Sequence, residues 1–348
     1  MALISSYDAP NNESSGISLK AEATAGDISS ENSPQKEDNL RPSSFDDYIG
    51  QSKLKKILEI SISAAQKRKD LASLGHIMLY GPPGLGKTSC AQLIAQELGT
   101  KAQVFSAPAL ERPKDILGIL MSLQEGDVLF IDEIHRLNKV TEELLYPALE
   151  DFQIDLNSGK GASSRVMRFD INKFILVGAT TKLGFISAPL RDRFLHVHRM
   201  EYYETHELAE IILRNTSKLQ IEISEPACLQ IAKRSRGTPR IANRLLRLVR
   251  DFAQHKDILE VDLDFAKQAL DLYKIDAYGL DNMDVKILSA LLDKYQGGPA
   301  GLETIASLVG EDKTTIEDYY EPFLIQSGFL MRTQRGRVIT DKARAYLG

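Results

Sequence analysis

Residues Gly81-Pro82-Pro83-Gly84-Leu85-Gly86-Lys87-Thr88 fit the pattern G-x-x-x-x-G-K-[ST]. Glycines at these spacings let the backbone wrap a triphosphate with its N–H groups pointing inward. Lys87 would then reach the β- and γ-phosphates, and the Thr88 hydroxyl would ligate Mg²⁺. Gly84, Gly86, Lys87, Thr88 and Ser89 are the expected contacts to ATP. The surroundings agree. Ile77-Met78-Leu79-Tyr80 is an apolar run that predicts a buried strand, and Ser89 to Leu98 carries a helical pattern. The helix start would add its positive dipole end. The bland alternative is a glycine-rich turn before an ordinary helix. Strand, loop and helix in that order favour a nucleotide site, but the loop alone does not say what the nucleotide is for.

Val128-Leu129-Phe130-Ile131-Asp132-Glu133 is an apolar run ending in two carboxylates. At the carboxyl edge of a parallel sheet such an end faces the phosphate loop. Asp132 is the expected Mg²⁺ ligand. Glu133 is expected to orient and polarise an attacking water. The run Phe174 to Thr181 ends in Gly178-Ala179-Thr180-Thr181, so a threonine can contact the γ-phosphate. Thr181 stands in the candidate set, with the choice between it and Thr180 open. Ala188-Pro189-Leu190-Arg191-Asp192-Arg193-Phe194 sets two arginines around an acid. An arginine given to a neighbour's γ-phosphate stabilises transition-state charge, and it implies a ring of subunits. A surface ion pair is the plain alternative. Gly237-Thr238-Pro239-Arg240 opens a helical pattern, where Arg240 can read the γ-phosphate across a cleft. Arg332, Arg335 and Arg337 cluster on a short predicted hairpin, and several guanidiniums there suit phosphate contact.

Three continuously apolar runs, Ile77–Tyr80, Val128–Ile131 and Phe174–Val177, predict strands buried on both faces, hence a parallel sheet covered by helices. Between the last two, Ile154 to Phe169 alternates weakly around Gly159 and Gly161, a hairpin signal. From about Glu201 to Ile275 the chain reads as helical throughout, with stripes in Thr205–Lys218, Glu225–Lys233 and Pro239–Phe252. From about Asp276 the pattern changes again. Helices are expected over Val285–Leu292 and Leu302–Val309, with a capping box at Thr314-Thr315-Ile316-Glu317 opening a third. Phe329–Arg332 and Arg337–Thr340 then flank a turn. Three helices followed by a hairpin is the order of a winged helix.

The chain has 348 residues, 43% of them hydrophobic, enough for two or three domains with real cores. No apolar run approaches the ~20 residues of a membrane span, and no signal-peptide or transit pattern opens the sequence. Cys90 and Cys228 are too few for a disulfide framework and are expected as core fillers in a reducing cytoplasm. The net charge of −5 lies entirely in residues 1–39, which hold seven acids and two bases. That segment is rich in Ser, Asn, Ala and Glu and is expected as a disordered acidic tail. The remainder is formally neutral, so a local basic patch for DNA remains open.

These motifs together resemble the RuvB family of AAA+ motors, which drive branch migration of Holliday junctions in bacteria. The resemblance runs from Leu40 to the C-terminus. It rests on Arg41-Pro42, Tyr48-Ile49-Gly50-Gln51, Gly81–Thr88, Asp132-Glu133-Ile134-His135-Arg136-Leu137, Tyr146–Phe152, Gly178–Thr181, Ser187–Phe194, Gly237–Arg244 and Phe329–Thr340. It implies an α/β fold: an AAA+ P-loop parallel-sheet domain over 40–200, a helical lid domain over 201–275 and a C-terminal winged-helix domain over 276–348. It implies a homohexameric ring on duplex DNA at Holliday junctions, ATP hydrolysis with Mg²⁺, recruitment by RuvA and a complex with RuvC. By family pattern Leu40 and Arg41 approach the adenine, and Tyr203, Glu150, Asp151 and Phe152 the nucleotide or its surroundings. Arg193 looks like the finger given to the next subunit, Arg240 like a second sensor, and Arg332 and Arg337 like DNA-backbone contacts. The Ile154–Phe169 hairpin resembles the family's RuvA-facing hairpin, although Leu156-Asn157-Ser158-Gly159-Lys160 is more polar than usual. Gln334 stands where a proline is expected, and Leu195 where a glycine is expected. The alternative class is a nucleotide-switched regulator that reads DNA sequence with its winged helix, and it would need neither Glu133 nor Arg193. A clamp-loader-like assembly factor is a third reading, against which the winged helix argues.

Overall fold

The computed structural model describes residues 40–158 and 165–348. The acidic segment 1–39, and Gly159 and Gly161 at the centre of the expected hairpin, lie outside the described residues. Helix α1 (Ser52–Arg68) buries Leu54, Leu58, Ile62 and Ala65, a stripe at the i, i+4 and i, i+3 spacings that keep side chains on one face. It leads to strand β1 (His76–Tyr80), the phosphate loop, and helix α2 (Lys87–Leu98). Strand β2 (Ala102–Ser106), helix α3 (Pro113–Ser122), strand β3 (Val128–Asp132) and helix α4 (Lys139–Glu150) follow. Next come an antiparallel pair, β4 (Gln153–Ser158) and β5 (Arg165–Asp170), then β6 (Ile175–Thr180) and β7 (Phe194–Arg199).

The central sheet has the order β2-β3-β6-β1-β7, with every pairing parallel. Successive strand residues divide between two cores. Ile77, Leu79, Val128, Phe130, Ile175 and Val177 pack on the α1–α2 side. Met78, Leu129, Ile131 and Leu176 pack on the α3–α4 side. Both faces are covered, which is why these runs carry no polar alternation. The parallel register aligns Tyr80 with Thr180 and Ile131 with Gly178, so the strands that precede the expected chemical groups all end at one edge.

Helix α5 (Thr205–Leu219) begins the next layer. The expectation of uniform helix over 201–275 needs one correction. Strand β8 (Glu222–Ile223), helix α6 (Glu225–Lys233), helix α7 (Pro239–His255), strand β9 (Glu260–Val261) and helix α8 (Leu263–Leu272) follow in turn, and β8 pairs with β9 in parallel. Two-residue strands leave no periodic signal in a sequence. These helices share one hydrophobic cluster with the α1–α2 face of the sheet. The C-terminal segment has a core of its own, from Leu280 to Ala343, built on α9 (Asn282–Tyr295) and α10 (Leu302–Val309).

The expected capping box at Thr314–Glu317 does not form. Asp312 caps instead, accepting from Thr314 N at 2.7 Å. The helical turn it opens passes into a π-helical stretch, Ile316–Tyr320, before α11 (Glu321–Gln326). Strands β10 (Leu330–Thr333) and β11 (Gly336–Ile339) form the hairpin around Gln334 and Arg335, and α12 (Asp341–Leu347) closes the chain. Among the described residues, no helix is long and apolar enough to cross a membrane.

Gly178 lies within β6, paired with Met78 on one side and Ile131 on the other. A Cβ there would lie 3.1 Å from each of Ile134 Cδ1, Met78 Cε and Phe194 Cζ. Gly178→Val is expected to lower the unfolding free energy by about 1–3 kcal/mol through overpacking, read as a lower urea midpoint. An unchanged midpoint would mean that these neighbours yield freely.

Candidate active site

The phosphate loop turns on glycines at positive φ, with Gly81 at 146°, Gly84 at 84° and Gly86 at 95°. A Cβ on Gly81 would meet the Met200 carbonyl at 2.8 Å, so only glycine fits there. Lys87 Nζ donates to the carbonyls of Gly81 and Pro82, both at 2.9 Å. Its side chain folds back under the loop, 7% exposed. Burial holds this ammonium below the usual lysine range, while Asp132 and Glu133 pull the other way. Thr88 and Ser89 follow in the first turn of α2. The Tyr48 hydroxyl is buried beside Gly86 and has no hydrogen-bond partner among the described residues. A glycine-lined cradle with an unsatisfied buried hydroxyl beside it suits a polar guest.

Asp132 and Glu133 end β3 at the same edge. Asp132 Oδ1 accepts from Glu133 N at 3.0 Å. Glu133 takes the left-handed conformation, φ 50°, which turns its side chain out of the strand direction. Its Oε2 accepts from Thr181 Oγ1 at 3.2 Å and lies 3.2 Å from His135 Nδ1. The two threonines separate by geometry. Thr180 is fully buried, lies 2.9 Å from His135 Nδ1 and accepts from Lys182 N at 2.9 Å. Thr181 faces the carboxylate. His135 had no role from the sequence, although it stood in the quoted Asp132–Leu137 run. Burial lowers its pKa, partly opposed by Glu133.

Arg240, two residues into α7, closes the loop from above. Its backbone N–H reaches Gly84 O at 3.3 Å, and a Cβ on Gly84 would lie 3.0 Å from Arg240 Cβ. Tyr203 joins the same corner: its hydroxyl donates to Leu85 O at 3.3 Å and its backbone N–H to Gly237 O at 2.9 Å. Leu40 and Arg41 are stapled between α2 and α5. Arg41 Nη1 donates to Gln92 Oε1 at 2.8 Å, Lys218 Nζ to Arg41 O at 3.0 Å, and Arg214 Nη2 to Leu40 O at 3.1 Å. Arg214 also bonds the Asp47 carbonyl. Arg214, Gln92 and Lys218 are positioning partners that the sequence did not reveal, because each is one polar residue in an ordinary helix pattern.

Other expected groups lie elsewhere. Glu150 ends α4, and Asp151 and Phe152 follow it, at the opposite edge of the sheet. Phe152 packs edge-on to His76 and Phe174, with centroids 6.3 and 6.1 Å away, and these residues begin or precede β1 and β6. A five-residue strand at ~3.3 Å per residue separates that edge from the loop. Within one chain, 150–152 therefore do not reach the nucleotide cradle, a correction to the expectation for these three. Arg193 lies with them. It pairs with Glu150 at 2.7 Å, donates to Pro189 O and Tyr146 O at 2.7 and 3.2 Å, and stacks on the Tyr146 ring at 4.6 Å. None of these bonds reaches the phosphate loop of its own chain.

The wing arginines also divide. Arg332 is exposed and bonds Glu317 at 3.1 Å. Arg335 is exposed in the turn. Arg337 is only 8% exposed and is held by Glu321, itself 3% exposed, at 3.1 and 2.7 Å. Arg337 is thus no open guanidinium at a hairpin tip. Arg337 pairs across the hairpin with Arg332, and both lie on the face that meets Glu317 and Glu321, a contact that the local spacing of arginines could not disclose.

Comparison with known proteins matches three family descriptions along the chain. The P-loop domain of the Holliday junction DNA helicase RuvB matches residues 40–200, the RuvB AAA lid domain 203–276 and the RuvB C-terminal winged helix domain 277–348. The Holliday junction branch migration complex subunit RuvB of Synechocystis sp. is 54% identical over 314 residues, covering 90% of this chain and 86% of that protein. Its counterpart in Trichormus variabilis is 51% identical over 314 residues, covering 90% and 85%. A solved structure described as the Thermotoga maritima RuvB Holliday junction branch migration motor superposes with TM-score 0.80 at 47% identity, covering 89% of this chain and 98% of that one.

Gly84→Ala places a methyl against Arg240 in a backbone conformation that disfavours any side chain. ATP affinity is expected to fall at least about fivefold, measured by titration with a fluorescent nucleotide. Unaltered affinity would separate the loop from α7.

Proposed function

The chain belongs to the RuvB family of Holliday junction branch-migration ATPases, and we propose that it works as a homohexameric ring on duplex DNA. In this reading RuvA recruits the ring to junctions through the 154–169 hairpin, and RuvC joins the complex in the cytoplasm. The observation that carries it is the meeting of Lys87, Asp132, Glu133, Thr181 and Arg240 at one edge of the sheet. Exposed Met167 and Phe169 on β5 support a protein partner at the hairpin. The domains are proposed to divide as a sheet domain over 40–200, a lid over 201–275 and a winged helix over 276–348.

Lys87 would release the Gly81 and Pro82 carbonyls and take the β- and γ-phosphates, with backbone N–H groups of the loop and of Thr88 and Ser89 around them. Thr88 and Asp132 would hold Mg²⁺, whose charge offsets that of the phosphates; a hydroxyl and a carboxylate are the hard oxygen donors it takes. Glu133 would accept the proton of the water that attacks the γ-phosphorus, as the bond to the β,γ-bridging oxygen breaks and ADP leaves. Thr181 and His135 share one Glu133 oxygen and so would aim the other at that water. Arg240 would read the nucleotide from the lid, and Tyr203, with Leu40 and Arg41, would border the base. Arg193, kept in place by Glu150 and Tyr146, would be offered to the neighbouring subunit's γ-phosphate, with Glu150, Asp151 and Phe152 beside it. This gives residues 150–152 a place near a nucleotide that is not their own. Arg332 and Arg335 would touch DNA phosphates directly, and Arg337 would do so on exchanging Glu321.

The test is strand-resolved branch migration on a synthetic four-way junction, with and without RuvA. Migration with RuvA is expected. Inactivity in both conditions beside intact ATPase would sink the motor reading. Glu133→Gln should still bind ATP while turnover falls by at least about 10²-fold; normal turnover would refute the proton-accepting role. Arg193→Ala alone should lose about 10³-fold in hydrolysis, yet regain activity when mixed with a Lys87→Ala chain that keeps its arginine. If mixing restores nothing, the arginine does not act between subunits.

A further inference from the structure

Arg236 lies just ahead of α7 in the left-handed region, φ 52°, which a side chain as large as arginine rarely adopts. It is 6% exposed, and its guanidinium leaves the lid altogether. Nε donates to Gly279 O at 2.9 Å, and Nη2 donates to Asp281 Oδ2 at 3.0 Å and to Asp284 Oδ2 at 2.6 Å. Its face lies 4.5 Å from the Phe323 ring centroid. The acids that receive it are themselves fixed. Asp281 caps α9, and Asp284, fully buried, accepts from Asp281 N at 2.9 Å. Every one of these partners lies in the segment that matches the winged helix.

The same short segment reaches the nucleotide loop at its other end. Arg234 Nη1 is tied to Asp271 and to Ile275 O at 2.8 and 2.7 Å. Gly237 O holds Tyr203 N, and Arg240 N rests on Gly84 O. Three residues thus separate Arg236, anchored in the winged helix, from Arg240, anchored on the phosphate loop. The sheet domain meets the winged helix differently. Lys182, next to Thr181, pairs with Asp318 at 3.1 Å, and both side chains are about half exposed, 41% and 51%. A pair so exposed is worth little and is readily broken, whereas removing one partner of a buried pair leaves a costly uncompensated charge.

We propose that Arg236 is a positioning residue that pins the lid and the winged helix into one mechanical body. A change of angle at Arg240 then arrives at the DNA-contacting wing undiminished. Lys182–Asp318 is the joint that opens and closes as the body swings. The inference rests on the reading of the winged helix as the DNA-contacting part.

The test places spin labels at exposed positions through Ser122→Cys, Gln254→Cys and Glu303→Cys in pairwise combination; both native cysteines are buried. Distances are compared with ADP and with a non-hydrolysable ATP analogue. The Gln254–Glu303 distance should be the same in both states, while the Ser122–Glu303 distance shifts. If the Gln254–Glu303 distance shifts as much, the proposal is overturned, with no variant at Arg236 needed. Arg236→Gln should broaden the Gln254–Glu303 distribution. It should keep ATPase without DNA within about twofold of the unaltered protein, and lower base pairs migrated per ATP by roughly threefold to tenfold. Arg236→Lys, which keeps charge but loses the fork, should fall between. Undiminished migration per ATP in Arg236→Gln would also overturn the proposal. A chain that binds nucleotide but moves no junction in any form would instead remove the motor reading, leaving the distance comparison to stand by itself.

Discussion

The structure depends on the register of a parallel sheet. Strands β1, β3 and β6 run the same way and end together, with Tyr80 aligned to Thr180 and Ile131 to Gly178. The phosphate loop, the Asp132–Glu133 pair and the threonines each sit where one of these strands runs out at that edge. A slip of one residue in any of them would exchange its two packed faces. Ile77 and Leu79 would then be set against the core that now holds Met78. The geometry of the site is thus held by apolar packing some distance behind it, on both faces at once.

That arrangement explains what could be read from the residues. The three strands were visible because burial on both faces writes an unbroken apolar run, and the phosphate loop because its backbone requires glycine at fixed spacings. Asp132 and Glu133 were legible as strand-end carboxylates. The partners that arrive from distant elements were not. Nothing local marks Arg214 as the clamp on Leu40, or Glu321 as the holder of Arg337. Resemblance puts Glu150–Phe152 near a nucleotide, whereas the length of β1 separates them from their own loop. Asp312 took the cap expected of Thr314 because the helical turn starts earlier, at Lys313, where the carboxylate accepts from Thr314 N. Thr180 and Thr181 are equivalent in sequence, and only the strand pleat sends one inward and the other to Glu133.

The ionic contacts fall into two mechanical classes. Losing one partner of a buried pair such as Arg236–Asp284 costs about 3–5 kcal/mol, comparable to a large part of a domain's stability. An exposed pair such as Lys182–Asp318 is worth ~0–1 kcal/mol, close to thermal energy. The layers also differ in their apolar joints. The helices after Tyr203 share a hydrophobic cluster with the sheet, whereas the C-terminal helices have their own. The lid is therefore joined to the sheet by a shared apolar core, with bonds such as Arg214 to Leu40 O and Arg240 N to Gly84 O at its margin. The winged helix is fastened to the lid by directional bonds that cannot slide without breaking.

The acids beneath the wing bear on how firmly DNA can be held. Arg332, Arg335 and Arg337 are accompanied by Glu317 and Glu321 within ion-pair distance of two of them. These three arginines and two glutamates together carry one net positive charge. Each phosphate that a protein neutralises frees condensed cations and steepens the salt dependence of binding by ~0.9. A phosphate taken by Arg332 or Arg337 would also have to displace Glu317 or Glu321. In the proposed ring, that competition would let the wing release a duplex as readily as it takes hold.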